Sequence, residues 1–128
     1  MKRILVMDDD KRISAALGIR LEMAGYEVLT ASDGLKGIAL AVDQKPDLII
    51  ADVWMPGLTG VEMAAAIRTT HPDQKILYVT GQIDRLLDSR ARWKGDAAFL
   101  EKPFSPNGLR QAVSLLLYGT LQRPCETD

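Results

Sequence analysis

Leu48-Ile49-Ile50-Ala51-Asp52-Val53-Trp54-Met55-Pro56-Gly57 decides how this chain is read. An unbroken apolar run of four residues ends on a carboxylate, and the turn formers Pro56 and Gly57 follow. Such a run predicts a strand buried on both faces, as in a parallel sheet covered by helices. Asp52 then stands at the carboxyl end of that strand, where open α/β sheets place their ligands. Asp is a poor strand residue and is costly to bury unpaired. On this stretch alone it could equally open a type I turn beside Pro56. The rest of the chain decides between the two.

Working outward, a second apolar run, Ile4-Leu5-Val6-Met7, also ends in acid, at Asp8-Asp9-Asp10. Ile13, Ala16, Leu17, Leu21 and Ala24 recur at helical spacing from Lys11 to Ala24, and Gly25 supplies the stop. Tyr26 to Ala31 reads as an edge strand, and Ser32-Asp33-Gly34 caps a helix running to about Gln44. Lys45-Pro46-Asp47 turns the chain into the Asp52 strand. Beyond Asp52, a loop from Met55 to Gly60 leads to a helix over Val61 to Thr70, ended by His71-Pro72-Asp73. The lone histidine reads as a solvated loop residue.

Ile76 to Val79 predicts a fourth strand, closed by Thr80-Gly81, and Gln82 to Lys94 a less regular helix. Ala98-Phe99-Leu100 predicts a fifth strand ending on Glu101-Lys102-Pro103. Ser105 and Pro106 open a last helix with Leu109, Ala112, Val113, Leu116 and Leu117 on one face. The pattern is (βα)₅, an α/β class chain. Right-handed crossovers make it a doubly wound, five-stranded parallel sheet.

The 128 residues suit one domain, expected over 1–119, with a short polar tail over 120–128. A formal net charge of −1 argues against a nucleic-acid surface built on bulk positive charge. Cys125 is the single cysteine, so no internal disulfide forms. No stretch approaches a membrane span, and the opening apolar run is too short for a signal peptide. A soluble cytoplasmic domain is expected.

Four of the five predicted strands carry polar residues at their carboxyl ends: Asp8 and Asp9, Asp52, Thr80, and Lys102. In a parallel sheet these ends share one edge. Carboxylates gathered there repel one another and call for a cation. Hard oxygen ligands point to Mg²⁺, while His71 and Cys125 lie elsewhere in the chain. A metal, a lysine and a hydroxyl around one carboxylate suit a phosphoryl group carried on that carboxylate.

These residues resemble the receiver domain of two-component response regulators over about residues 2 to 119. The resemblance rests on Ile4-Leu5-Val6-Met7-Asp8-Asp9, Pro46 through Asp52, Met55-Pro56 with Gly60, Thr80-Gly81 and Lys102-Pro103-Phe104. It implies a flavodoxin-like strand order of 2-1-3-4-5 and a phosphoacceptor role for Asp52, charged by a histidine kinase or a histidine phosphotransfer protein. It further implies that Asp8, Asp9 and Asp52 hold Mg²⁺ with the Trp54 backbone carbonyl. Thr80 would bond a phosphoryl oxygen and Lys102 would pair with the phosphoryl group. A cis peptide bond would precede Pro103. Phe99 occupies the position of the aromatic switch residue, coupled to Thr80. Thr59 departs from the family pattern before Gly60, and Trp54 is large for its position.

The resemblance also implies a signalling protein that is no general enzyme and catalyses only its own phosphorylation and dephosphorylation. A downstream protein would bind the face of the fourth helix, fifth strand and fifth helix of the (βα)₅ pattern. A monomer or weak homodimer is expected, with no direct contact to nucleic acid or membrane. The competing enzyme reading is a haloacid dehalogenase-like phosphatase with Asp8 as nucleophile, since Asp8 and Asp10 give its D-x-D spacing. Arg12 stands where that motif wants Thr or Val, and the reading leaves Asp52 unexplained. A receiver acting mainly as a phosphate sink is the other alternative.

Overall fold

The computed structural model describes residues 1–55, 58–80, 98–101 and 105–119. In chain order the elements are β1 (Arg3–Met7), α1 (Lys11–Met23), β2 (Glu27–Ala31), α2 (Gly34–Gln44), β3 (Leu48–Asp52), β4 (Trp54–Met55) and β5 (Leu58–Thr59). They continue with α3 (Gly60–Thr70), β6 (Ile76–Thr80), β7 (Ala98–Glu101) and α4 (Pro106–Tyr118), which is the fifth helix of the sequence pattern. Five strands pair in parallel in the order β2-β1-β3-β6-β7. With the short β4–β5 ribbon set aside, this is the expected 2-1-3-4-5 order of a flavodoxin-like fold.

The apolar runs have the length and composition of strands covered on both sides. Ile4, Leu5, Val6, Leu48, Ile49, Ile50 and Ala51 are all 0% exposed. Alternate residues feed two cores. Leu5, Met7, Ile49, Ala51, Ile76 and Tyr78 pack with Ala41 of α2 and with Met63, Ala64 and Ile67 of α3. Ile4, Val6, Leu48, Ile50, Leu77 and Val79 pack with Leu17 and Leu21 of α1 and with Leu109, Val113 and Leu117 of α4. Burying each large aliphatic side chain stabilises the fold by roughly 1.5–3 kcal/mol, so the central strands are its anchor. Strand β2 lies at the sheet edge, with Val28 and Leu29 half-buried and Thr30 exposed.

Several local expectations need correction. On α1 the buried positions are Ser14, Leu17, Gly18 and Leu21, while Ala16 and Ala24 face solvent. Counting apolar residues passed over Ser14, which is buried with its hydroxyl donating to the Lys11 carbonyl at 3.2 Å. Tyr26 precedes β2 as a buried residue of the core. His71 is the C-cap of α3 and half-buried, with its Nε2 3.3 Å from the Val42 carbonyl, so it ties α3 to α2. The helix expected over 82–94 and the tail over 120–128 lie outside the described residues.

The described part of the loop expected after Asp52 is strand. It pairs Trp54 with Thr59 and Met55 with Leu58 as an antiparallel ribbon. Helix α3 begins at Gly60 because Thr59 is its N-cap. The Thr59 hydroxyl accepts from the Glu62 amide at 3.2 Å, and the Glu62 carboxylate accepts from the Thr59 amide at 3.0 Å. This reciprocal arrangement satisfies two backbone donors that the helix leaves open.

Thr59→Ala removes the hydroxyl half of that box. The expected loss is about 1 kcal/mol, read as a fall of about 3–5 °C in the thermal midpoint. An unchanged midpoint would mean that the box does not stabilise α3.

Candidate functional site

The register of the sheet brings the strand ends to one level. Met7 lies opposite both Ala31 and Ala51, and Asp52 lies opposite Val79. Asp8 follows Met7 and Asp52 follows Ala51, so the two acids leave adjacent strands side by side. Thr80, the last residue of β6, lies opposite Glu101, the last residue of β7. Carboxylate oxygens of Asp8, Asp9 and Asp52 all come within 4.8 Å of one another.

Their settings differ. Asp8 is only 1% exposed, Asp52 is half-buried and Asp9 faces solvent. The Asp8 backbone amide donates to the Ala31 carbonyl at 3.2 Å, which carries the sheet's order one residue beyond β1. The Asp8 side chain accepts from the Asp10 amide at 2.9 Å, which fixes the turn into α1. Past Asp52, the Val53 amide donates to the Val79 carbonyl at 3.2 Å, and the Gly60 amide donates to the Val53 carbonyl at 2.9 Å. The chain is therefore pinned on both sides of the cluster.

Asp10 plays a different part. It is the N-cap of α1, accepting from the Arg12 amide at 2.9 Å, with the Arg12 guanidinium 3.7 Å away. The hydrogen bond from the Arg12 amide holds its carboxyl below the ordinary value of 3.8, with desolvation opposing it. Asp10 is absent from the converging group among the described residues. That removes the support which D-x-D spacing gave the phosphatase reading. The capping role was available in the sequence, since an Asp directly before an amphipathic run is a common helix opener.

The donor set fits a small hard cation. Mg²⁺ binds oxygen at about 2.0–2.1 Å, so two ligands across one ion stand about 4.2 Å apart. Neighbouring ligands of the octahedron stand about 2.9 Å apart, so the three oxygens, which lie within 4.8 Å of one another, would draw together on one ion. All three donors are carboxylates, with no sulfur or imidazole among them. A cleft of about 400 Å³ between α1 and α4 is lined by Arg20, Leu21, Met23, Tyr26, Leu109 and Arg110, and by none of the three acids. A cation needs converging oxygens more than an enclosed space, so the acidic edge is the stronger candidate.

Other expected site residues are placed by backbone alone or lie outside the described residues. Trp54 opens the ribbon two residues after Asp52. Thr80 ends β6, and Phe99 lies in β7 opposite Tyr78, a fully buried aromatic. For Trp54, Thr80 and Phe99 the placement is that of the backbone. Lys102 and Pro103 lie outside the described residues, one and two positions past Glu101.

Comparison with known proteins bears on the family and the fold. Residues 4–114 match the model of the response regulator receiver domain. The chain is 36% identical to the alkaline phosphatase synthesis transcriptional regulatory protein PhoP of Bacillus subtilis, over 91% of this chain and 48% of that protein. It is 39% identical to the DNA-binding dual master transcriptional regulator RpaA of Synechocystis, over 97% of this chain and 52% of that protein. The chain thus spans about half the length of these curated relatives. Among solved structures, chemotaxis protein CheY4 of Vibrio cholerae superposes with a TM-score of 0.80 at 34% identity, covering 91% of this chain and 99% of that one. The response regulator TrrA of Thermotoga maritima, in complex with Mg²⁺ and BeF, gives 0.81 at 35% identity, covering 91% and 100%. The chain belongs to the response regulator receiver domain family.

Proposed function

We propose that this receiver accepts a phosphoryl group on Asp52 in a Mg²⁺-dependent reaction and passes the signal on by a change in protein binding. The observation that carries the reading is the convergence of Asp8, Asp9 and Asp52 within 4.8 Å at the carboxyl edge of the sheet. The BeF complex of TrrA adds support, because that relative was captured with Mg²⁺ and a phosphoryl mimic.

In this reading an Asp52 carboxylate oxygen attacks phosphorus. The donor is a phosphohistidine of a histidine kinase or phosphotransfer protein, or a small acyl phosphate. With phosphohistidine, the P–O bond to Asp52 forms as the N–P bond breaks, and the released imidazole takes up a proton. Asp8, Asp9, Asp52 and the Trp54 carbonyl would hold Mg²⁺. When bound, the ion supplies positive charge for the oxygens of the transferring group. Thr80 offers a hydroxyl donor and Lys102 a fixed cation to the same oxygens. Water would later release phosphate, so the chain turns over only its own phosphoryl group and is no general phosphatase. The site of action is the cytoplasm, and the downstream partner is a protein bound through the face of β7, α4 and the helix expected over 82–94.

Two outcomes are expected. Incubation with acetyl phosphate or a cognate kinase labels the wild type only when Mg²⁺ is present, and Asp52→Asn loses the label. Undiminished labelling of a folded Asp52→Asn protein would sink the assignment. Separately, Mg²⁺ that binds only the folded site stabilises it by about 1.4 kcal/mol at ten times its Kd, raising the thermal midpoint by a few degrees. Asp9→Ala should shrink that rise. A midpoint indifferent to millimolar Mg²⁺ would contradict the proposed ligand set.

A further inference from the structure

The ribbon that follows Asp52 is too small to hold its own shape. It has two residues in each strand, β4 at Trp54–Met55 and β5 at Leu58–Thr59. Isolated two-stranded ribbons are marginal in water even when much longer. Its ends are tied by the Val53–Val79 and Gly60–Val53 backbone hydrogen bonds. The Gly60 end is also closed by space, since a Cβ there would lie 3.2 Å from Val53 Cα and 3.3 Å from the Tyr78 ring.

What holds the middle is Leu58. It is half-buried against the core shared by α2 and α3. It also sits on Gly34, the buried first residue of α2. A Cβ built on Gly34 would lie 2.5 Å from Leu58 Cδ2, 2.9 Å from its Cβ and 3.2 Å from its Cγ. Rotation about χ1 could move Cδ2 aside, but Cβ moves only with the backbone of β5. Gly34 is not among the glycines with positive φ, which are Gly25 and Gly119. Its backbone would accept alanine, and helix propensity would favour it. The demand for glycine at this position is one of space.

We propose that Leu58 seated on Gly34 is a positioning contact that fixes the backbone following Asp52 and thereby sets the Mg²⁺ affinity of the carboxylate cluster. The proposal rests on the Mg²⁺ reading above. Met55 pairs with Leu58 and Trp54 with Thr59, so displacing β5 displaces β4 with it. The Trp54 carbonyl assigned to the ion lies on that strand. Supports that orient metal ligands without touching the metal commonly alter affinity by 10–100-fold when removed.

The test is a titration with MgCl₂ followed by the amide NMR shifts of Asp9, Val53 and Trp54, alongside thermal midpoints without metal. Gly34→Ala and Leu58→Ala should each weaken the apparent Kd about tenfold. Ile67→Val trims the same core two turns along α3, away from the ribbon. It should lower the midpoint and leave the Kd within about twofold of wild type. Should Gly34→Ala fail to fold, Leu58→Ala carries the test alone. Wild-type affinity in the ribbon variants, or equal weakening in Ile67→Val, would overturn the positioning role while leaving the Mg²⁺ reading intact. Absence of saturable shifts in the wild type would instead overturn the Mg²⁺ reading and this proposal with it.

Discussion

Carboxylates do not gather unless something stronger than their repulsion gathers them. Negative charges whose oxygens come within 4.8 Å of one another repel, and water screens only part of that repulsion. Here the parallel register of β1 and β3 supplies the opposing force. Met7 is locked between Ala31 and Ala51, and Asp8 and Asp52 can only leave their strands side by side. Slipping either strand by one residue would relieve the charges, but it would exchange the side chains packed into the two cores and lose the fit of both. Burial of Ile4, Leu5, Val6, Ile49 and Ile50 on two opposite faces therefore sets the charge geometry at the edge. The hydrophobic effect, acting within the sheet, is what prepares a polar site outside it.

That division explains why the chain tolerates so many acids at one edge. Asp8 is almost fully buried, yet its side chain accepts the Asp10 amide, and Asp10 in turn caps α1. The acids of this turn thus divide between two roles. Asp8 and Asp9 take part in the converging cluster, and Asp10 satisfies the helix terminus. The same economy appears after β3. Val53 continues the ladder, Thr59 caps α3, and β4 and β5 pair between them.

Much of this was readable in the sequence because it follows from strong, local patterns. The continuous runs at 4–7 and 48–51 mark doubly covered strands, and their acidic ends mark the site edge. The last helix was legible from Ser105, Pro106 and the Leu109-Val113-Leu117 spacing, which the structure buries. What was missed depends on contacts rather than on periodicity. Ser14 is polar and buried, so it escapes any count of apolar residues. The ribbon is two residues long on each side, below the length at which alternation carries a signal. The fit between Gly34 and Leu58 joins residues 24 positions apart, and no local rule reaches that far. Thr59 is the exception, since Thr59-Gly60-Val61-Glu62 spells a capping box that could have been read directly.

The proposed function requires that Asp52, and no other acid of the convergent edge, carries phosphorus. Borohydride reduces an acyl phosphate to an alcohol, leaving homoserine where the modified aspartate stood. Protein treated with acetyl phosphate and Mg²⁺, reduced in this way and sequenced by tandem mass spectrometry, should show homoserine at position 52 and nowhere else. The same treatment without Mg²⁺ should show none. Homoserine at Asp8 or Asp9, or its absence from folded protein in the presence of Mg²⁺, would contradict the account.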